Sequence, residues 1–226
     1  MEYIRKLNSE SEAFVFTLDQ CPVVGGVISG TVTPEEYVSF LVGTYQYVRW
    51  SGFLLAQTAL GLRSSGRCPE LIRAIASKAA EEGPHDGMLL RDLRRLGQDV
   101  ELIKGRPSPQ AVRAYVSFNL SLAEGSSPAF LGAAYTLEYI SMQRAAVAAR
   151  ELRRSGSVTN IDHALSFLDS HGIADVGHIA ELEELLATIS DPADQNDILL
   201  SARVLQRLYP DFFELPLGAV RASCSA

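Results

Sequence analysis

Apolar positions along this chain recur at helical spacing, and no alternating apolar and polar run of strand length is present, so the pattern predicts an all-α protein. Caps and breakers agree. Thr33-Pro34-Glu35-Glu36 combines a Thr N-cap, a Pro at the first helical position and a Glu three residues after the cap, the parts of a capping box. The helix it opens is predicted to run to about Leu62. Gly61 to Pro69 reads as a loop, and Pro69 suits the first turn of the next helix. That helix meets Gly83-Pro84, where the proline removes a backbone donor and crowds the preceding turn, so a kink or restart is expected before Leu96-Gly97. A loop through Pro107 follows. Ser108-Pro109 caps a helix to about Ala123, and Ser127-Pro128 starts the longest one, Pro128 to Arg154. After Ser155-Gly156 a helix is expected from Thr159 or Asn160 to Ile189, weakened by Gly172 and Gly177. Asp191-Pro192 caps a last helix to about Tyr209. The N-terminal stretch reads as a short helix, Ala13 to Leu18, and then a Gly-rich turn at Val24-Gly25-Gly26-Val27. The sum is a single all-α domain of about seven or eight helices over residues 1–226, with an N-terminal arm at 1–32 and a C-terminal tail at 210–226.

Composition narrows the function by exclusion. A 47% apolar, 21% charged chain of 226 residues is able to bury a core and is not disordered. Its net charge of -7 argues against nucleic acid and against anionic membrane surfaces, both of which want a basic partner. A small-molecule partner is expected instead. Cys21, Cys68 and Cys224 lie far apart, so neither a disulfide framework nor a thiolate zinc site is indicated, and a reducing cytoplasm fits. The N-terminus lacks a basic region followed by an apolar run, and no apolar segment reaches the length of a membrane span.

Histidine placement supplies the chemistry. Three of the four histidines fall between His163 and His178, and His171, Asp175 and His178 stand at i, i+4 and i+7, on one face of a helix. Two imidazoles with a carboxylate between them suit iron, manganese or zinc. The alternative is a solvated helix face with no ligand. The remaining histidine, His85, follows Glu82 by three, across the expected break at Pro84, with Glu81 able to substitute for Glu82. Glu138 lies among Tyr135, Leu137, Tyr139 and Ile140. A carboxylate in such company needs a metal or a cation, Arg113 or Arg144 being the cations considered. Together Glu82, His85, Glu138, His171, Asp175 and His178 give three carboxylates and three imidazoles from three segments, a donor set able to offset most of the charge of two divalent ions.

These residues resemble the heme-oxygenase-like diiron oxidases and oxygenases, a group of about seven helices sharing a scaffold with heme oxygenase, thiaminase-II-like proteins and pyrroloquinoline-quinone synthase. The resemblance rests on Glu82-x-x-His85, on Glu138 after Tyr135-Thr136-Leu137, and on His171-x3-Asp175-x2-His178, and it covers about Thr33 to Tyr209. Some relatives place the early Glu seven residues before the His; here that position is Lys78. The resemblance implies two Fe(II) ions, one held mainly from the Glu82 and His85 side and the other from the Asp175 and His178 side, with O2 as cosubstrate and an external reductant. It implies oxidation of an amino acid or an amino-acid-derived metabolite, with a fatty acid as the other substrate class. A homodimer is compatible with it. Tyr45, Arg49 and Tyr135 are the candidates for contacting substrate, Arg49 because a guanidinium would grip a carboxylate bidentately. Of the scaffold's other chemistries, heme ligation wants a His near the start of the chain, and thiaminase chemistry wants a pocket Cys where this chain has Cys only in expected loops and the tail. A non-catalytic metal-binding or interaction protein is the alternative of another kind; it would take up metal without oxygen-dependent turnover.

Overall fold

A computed structural model describes residues 1–66 and 69–214, without the side chains of residues 172–176; Cys68 and Cys224 lie outside the described residues. Among the described residues there are eleven α-helices and no strand. In chain order they are α1 Glu2–Leu18, α2 Pro22–Ser29, α3 Pro34–Val48, α4 Ser51–Ser64, α5 Pro69–Glu82, α6 His85–Arg95, α7 Val100–Gly105, α8 Gln110–Glu124, α9 Phe130–Ser155, α10 Ser166–Ala187 and α11 Pro192–Leu208, with 3-10 turns at Ile161–His163 and Tyr209–Phe213. None is long and apolar enough to cross a membrane.

The helix starts that carry caps form as expected. The Thr33 hydroxyl accepts from the Glu36 amide at 3.2 Å and the Glu36 carboxylate accepts from the Thr33 amide at 2.8 Å, closing the capping box of α3. Asp191 likewise accepts from the Ala193 amide at the start of α11. At Pro84 the chain restarts: α5 ends at Glu82, Pro84 occupies the N-cap of α6, and His85 is its first residue.

The expected elements differ from the observed ones where burial rather than a cap sets the boundary. The single helix expected from Thr33 to Leu62 is two, because the chain turns tightly at Arg49-Trp50, with the Trp50 amide donating to Tyr47 O at 3.0 Å. The turn brings α4 against α5 so closely that a Cβ at Gly52 would stand 2.9 Å from Ala79 O. The N-terminal arm is two helices, not a short helix and a turn. In α1 the stripe Tyr3, Leu7, Ser11, Phe14, Leu18 is buried, and its polar member Ser11 is satisfied by Thr136 of α9 at 3.2 Å. Gly25 and Gly26 belong to α2; a Cβ at Gly25 would meet Asp19 O at 2.4 Å, so glycine serves close packing there rather than a turn. Two further segments are also split: α7 lies within the expected loop before Pro107, and the helix expected from Thr159 begins only at Ser166, after a 3-10 turn.

Two helices form the centre. Every residue of α3 from Tyr37 to Val48 is buried, and α9, the longest helix, packs against α1, α2, α4, α10 and α11. On α5 the inward stripe begins apolar, Leu71 and Ile75, and then turns charged, with Lys78 buried and Glu82 close behind it at the same helical phase. That change of character along one stripe marks the site.

Candidate metal centre

Four segments bring the ionisable side chains together: the end of α5 (Lys78, Glu81, Glu82), the start of α6 (His85), the middle of α9 (Glu138) and α10 (His171, His178). Glu82 Oε2 stands 3.0 Å from His85 Nδ1, so the helix restart at Pro84 preserves the pairing that the three-residue spacing suggests. The His85 and His171 rings lie 4.8 Å apart. His178 is held between two carboxylates, its Nε2 at 2.6 Å from Glu81 Oε1 and its Nδ1 at 3.4 Å from Glu138 Oε2. Of the six expected ligands, five are linked in one cluster; Asp175 lies on α10, and its side chain is outside what is described. Glu81, considered as a substitute for Glu82, joins the cluster in addition to it.

Lys78 sits among these carboxylates. Its Nζ is 3.0 Å from Glu138 Oε1, 3.9 Å from Glu82 Oε1 and 4.0 Å from Glu81 Oε2, with the side chain 8% exposed. At 3.0 Å the two groups are within hydrogen-bonding distance, and the attraction between their opposite charges holds the pair. Lys78 is therefore the cation that Glu138 finds. Arg144, expected as a candidate, instead makes a bidentate pair with Asp19 at 2.8 Å, and Arg113 donates to Ser108 O. The sequence contained the signal for Lys78: it follows Ile75 by three and Leu71 by seven, a core position of an amphipathic helix.

The three imidazoles differ electrostatically. Hydrogen bonding to Glu138, against the effect of burial and with the added Glu138 charge, raises the pKa of His178 to about 9. Contact with a carboxylate at each nitrogen fits an imidazolium donating from both. The hydrogen bond with Glu82 likewise raises His85. Burial lowers His171, outweighing its bond to Phe167 O. In that bond, at 2.8 Å, Nδ1–H donates to the carbonyl, which leaves Nε2 as the lone-pair nitrogen. Burial alone would raise Glu138, but the His178 hydrogen bond and the Lys78 ammonium outweigh it and hold the carboxyl well below the ordinary range. Lys78 shows the same balance, with burial lowering its pKa and the Glu138 charge more than restoring it.

Through Lys78, Glu82, Glu138 and His171 the cluster borders a cavity that is partly open to solvent. Its walls are otherwise mostly apolar: Val48 and Leu55 from α3 and α4, Phe130, Ala134 and Leu137 from α9, and Phe167 from α10. Ala134, Leu137, Glu138 and Ser141 present one face of α9 to it at i, i+3, i+4 and i+7. A second cavity shares Tyr47, Ser141 and Phe167 with the first. The three residues expected to touch substrate line neither cavity. Tyr45 is two residues from Tyr47 and so on the opposite side of α3. Arg49 turns away to donate to Ser108 at 2.6 Å, and Tyr135 lies between Asn8 and Glu183. Cys21, the N-cap of α2, does not line them either.

As a donor set, Glu81, Glu82, His85, Glu138, His171 and His178 suit a divalent metal of intermediate hardness. Among the described residues no three of them close around a single point; they are paired with one another and with Lys78. The residues fit a metal by type and by their mutual contacts, Glu82, Glu138 and His171 facing the cavity, with those pairings to be exchanged on binding.

The all-helical bundle, with its histidine and carboxylate cluster beside a cavity, has the heme-oxygenase-like fold. The chain belongs to the family of iron-containing redox enzymes, whose model matches residues 38–209. Solved structures agree on the fold. A domain of unknown function with a heme oxygenase-like fold from Shewanella denitrificans OS217 is 17% identical, with a TM-score of 0.81 over 93% of this chain and 90% of that one. A TenA homolog from Pseudomonas syringae pv. tomato DC3000 is 14% identical, with a TM-score of 0.73 over 94% and 91% of the two chains. The TenA homologue of P. horikoshii OT3 is 16% identical, with a TM-score of 0.68 over 93% and 98%. Among curated proteins none matches.

Proposed function

We propose that this protein is an O2-dependent non-heme iron oxidoreductase that oxidises a small molecule in the cavity beside its histidine and carboxylate cluster. The observation that carries the reading is the linked cluster of Glu82, His85, Glu138, His171 and His178, of which Glu82, Glu138 and His171 line the cavity, in a chain of the iron-containing redox family. Two Fe(II) ions are proposed, one held from Glu82, His85 and His171, the other from Glu138, His178 and Asp175; when bound they would supply the electrons that activate O2. The protein's own part is to orient and to exclude water. His171, tied through Nδ1 to Phe167 O, presents a neutral Nε2, and second-shell bonds of this kind fix a ligand's tautomer. His178 gives up a proton when it becomes a ligand, and Glu81, 2.6 Å from Nε2 and half exposed, is placed to take it toward solvent. A ferrous centre fits a reducing cytoplasm and an external reductant.

The cavity walls bear on the substrate. An amino acid was expected because Arg49 could grip its carboxylate, and Arg49 is occupied outside the cavity. Two mostly apolar cavities lined in common by Tyr47, Ser141 and Phe167 favour a substrate with an apolar body, such as a fatty acid or a hydrophobic amino-acid derivative.

The test is to load the metal-free protein anaerobically with about two equivalents of Fe(II), with and without candidate substrates, and to follow visible absorbance on mixing with O2. A transient band that depends on one added compound, and is lost in His178→Ala, is the expected result. Uptake of iron with no O2-dependent change under any condition would favour the non-catalytic metal-binding alternative, and no uptake at all would end the iron reading.

A further inference from the structure

We propose that Lys78 is an internal cation that takes up the carboxylates a second metal ion would need, so that the two ions bind with unequal affinity. The inference rests on the iron reading above and concerns only how the chain partitions its ligands. The Lys78 ammonium stands within 4.0 Å of three carboxylates, Glu138, Glu82 and Glu81, inside a wall that is otherwise mostly apolar. A buried positive charge surrounded by three acidic groups is the electrostatic arrangement of a bound cation. Here the chain supplies that cation itself.

The occupation is uneven across the cluster. Lys78 is nearest Glu138, the carboxylate that also holds His178. On the other side Glu82, His85 and His171 form a set whose only tie to Lys78 is the 3.9 Å approach to Glu82. An ion entering among Glu82, His85 and His171 has to exchange the hydrogen bond between Glu82 and His85 but need not displace the ammonium from its nearest carboxylate. An ion entering beside Glu138 and His178 must displace the ammonium, and two like charges at such short range are incompatible inside a low-dielectric wall. Lysine suits this role because its charge sits on a flexible stem that can swing aside. The outcome is one tight and one weak site in the native chain.

The experiment is an anaerobic titration of the metal-free full chain with Mn(II), read by the electron paramagnetic resonance of the free ion, and repeated with Fe(II) by equilibrium dialysis and metal analysis. The native chain is expected to bind one ion at least about tenfold more tightly than the second. In Lys78→Met the gap should close to within about threefold, because the second ion no longer competes with a tethered charge. Lys78→Gln, which keeps a polar chain, should behave like the Met variant and serves should that variant fold poorly, while Lys78→Arg keeps the charge and the gap. Two equally tight ions in the native chain, or an unchanged gap in both neutral variants, would overturn the inference while leaving the iron reading intact. Failure of native and variant chains alike to bind either metal would overturn both.

Discussion

Lys78 Nζ and Glu138 Oε1 face each other at 3.0 Å, each side chain 8% exposed, and this one pair joins α5 to α9 across the cavity wall. Removing half of such a pair strands a charge in the interior. Glu138→Ala is therefore expected to destabilise the metal-free protein by roughly 3 kcal/mol, read as a lower urea midpoint. Replacing both residues together, Lys78→Met with Glu138→Leu, should cost clearly less than the sum of the single changes, giving a coupling energy above about 1 kcal/mol. Additive effects would mean that the pair is not coupled.

His178 gives the cluster a pH dependence with a definite sign. Its folded pKa is raised from 6.5 to about 9, so the stabilisation it contributes is fully present below 6.5 and is lost as pH rises through about 9. Glu138, held below 4.5, contributes in the opposite sense: its stabilisation is present above 4.5 and lost as the pH falls further. The metal-free protein should thus be most stable between pH 4.5 and 6.5 as far as this pair is concerned, and melting temperatures should fall between pH 6.5 and 9. In His178→Gln the alkaline fall should flatten. A decline of equal size in the variant would show that another group is responsible. Because a ligand His178 must be neutral, metal uptake at pH 7 should also release protons, measurable in weakly buffered solution.

What the sequence revealed depended on whether a local rule governed the residue. The capping box at Thr33, the restart at Pro84 and the i, i+3, i+4 and i+7 spacings are local, and α3, α6, Glu82 with His85, and His171 with His178 follow from them. The split at Arg49-Trp50 carries no cap signal, since what turns the chain is the packing of α4 on α5 at Gly52. The partner of Glu138 was a long-range matter. Guanidinium groups were considered because they are the usual partners of buried carboxylates, but Asp19 and Ser108 O claim Arg144 and Arg113, and only the fold brings Lys78 across from α5. Tyr45 and Arg49 failed as cavity residues for a related reason. A helix buried all round, as α3 is, offers no polar face from which to tell which aromatic residue looks into the cavity.

Asp92 is fully buried on α6 and caps α10 from outside, accepting from the Phe167 amide at 3.0 Å and from the Ser166 hydroxyl at 2.7 Å. It thereby fixes the helix end that carries Phe167 and, one turn later, His171. Asp92→Ala is expected to cost about 1–2 kcal/mol of stability and to weaken metal binding about tenfold, although Asp92 itself is no ligand. Asp92→Asn, which can still accept from the Phe167 amide, should recover most of both. Metal affinity that stays at the native value in Asp92→Ala would show that His171 is placed without this cap.

Ser141 lines both cavities one turn beyond Leu137 on α9, as do Tyr47 and Phe167, so the three residues stand where the cavities come nearest each other. A bulky side chain there would separate the cavity next to the metal ligands from the one that reaches Ile28 and Ala148. If substrates run through both, Ser141→Phe should leave oxidation of short apolar substrates near the native rate and reduce kcat/KM for chains long enough to cross the junction by about a hundredfold, since each methylene that loses its place forfeits close to 1 kcal/mol. The stabilisation on adding Mn(II), read as a shift in melting temperature, should stay native in the same variant, because Ser141 is itself no ligand. Equal losses for short and long substrates would place the whole substrate in the first cavity, and the second would then be a packing defect between α2, α3 and α9 with no part in binding.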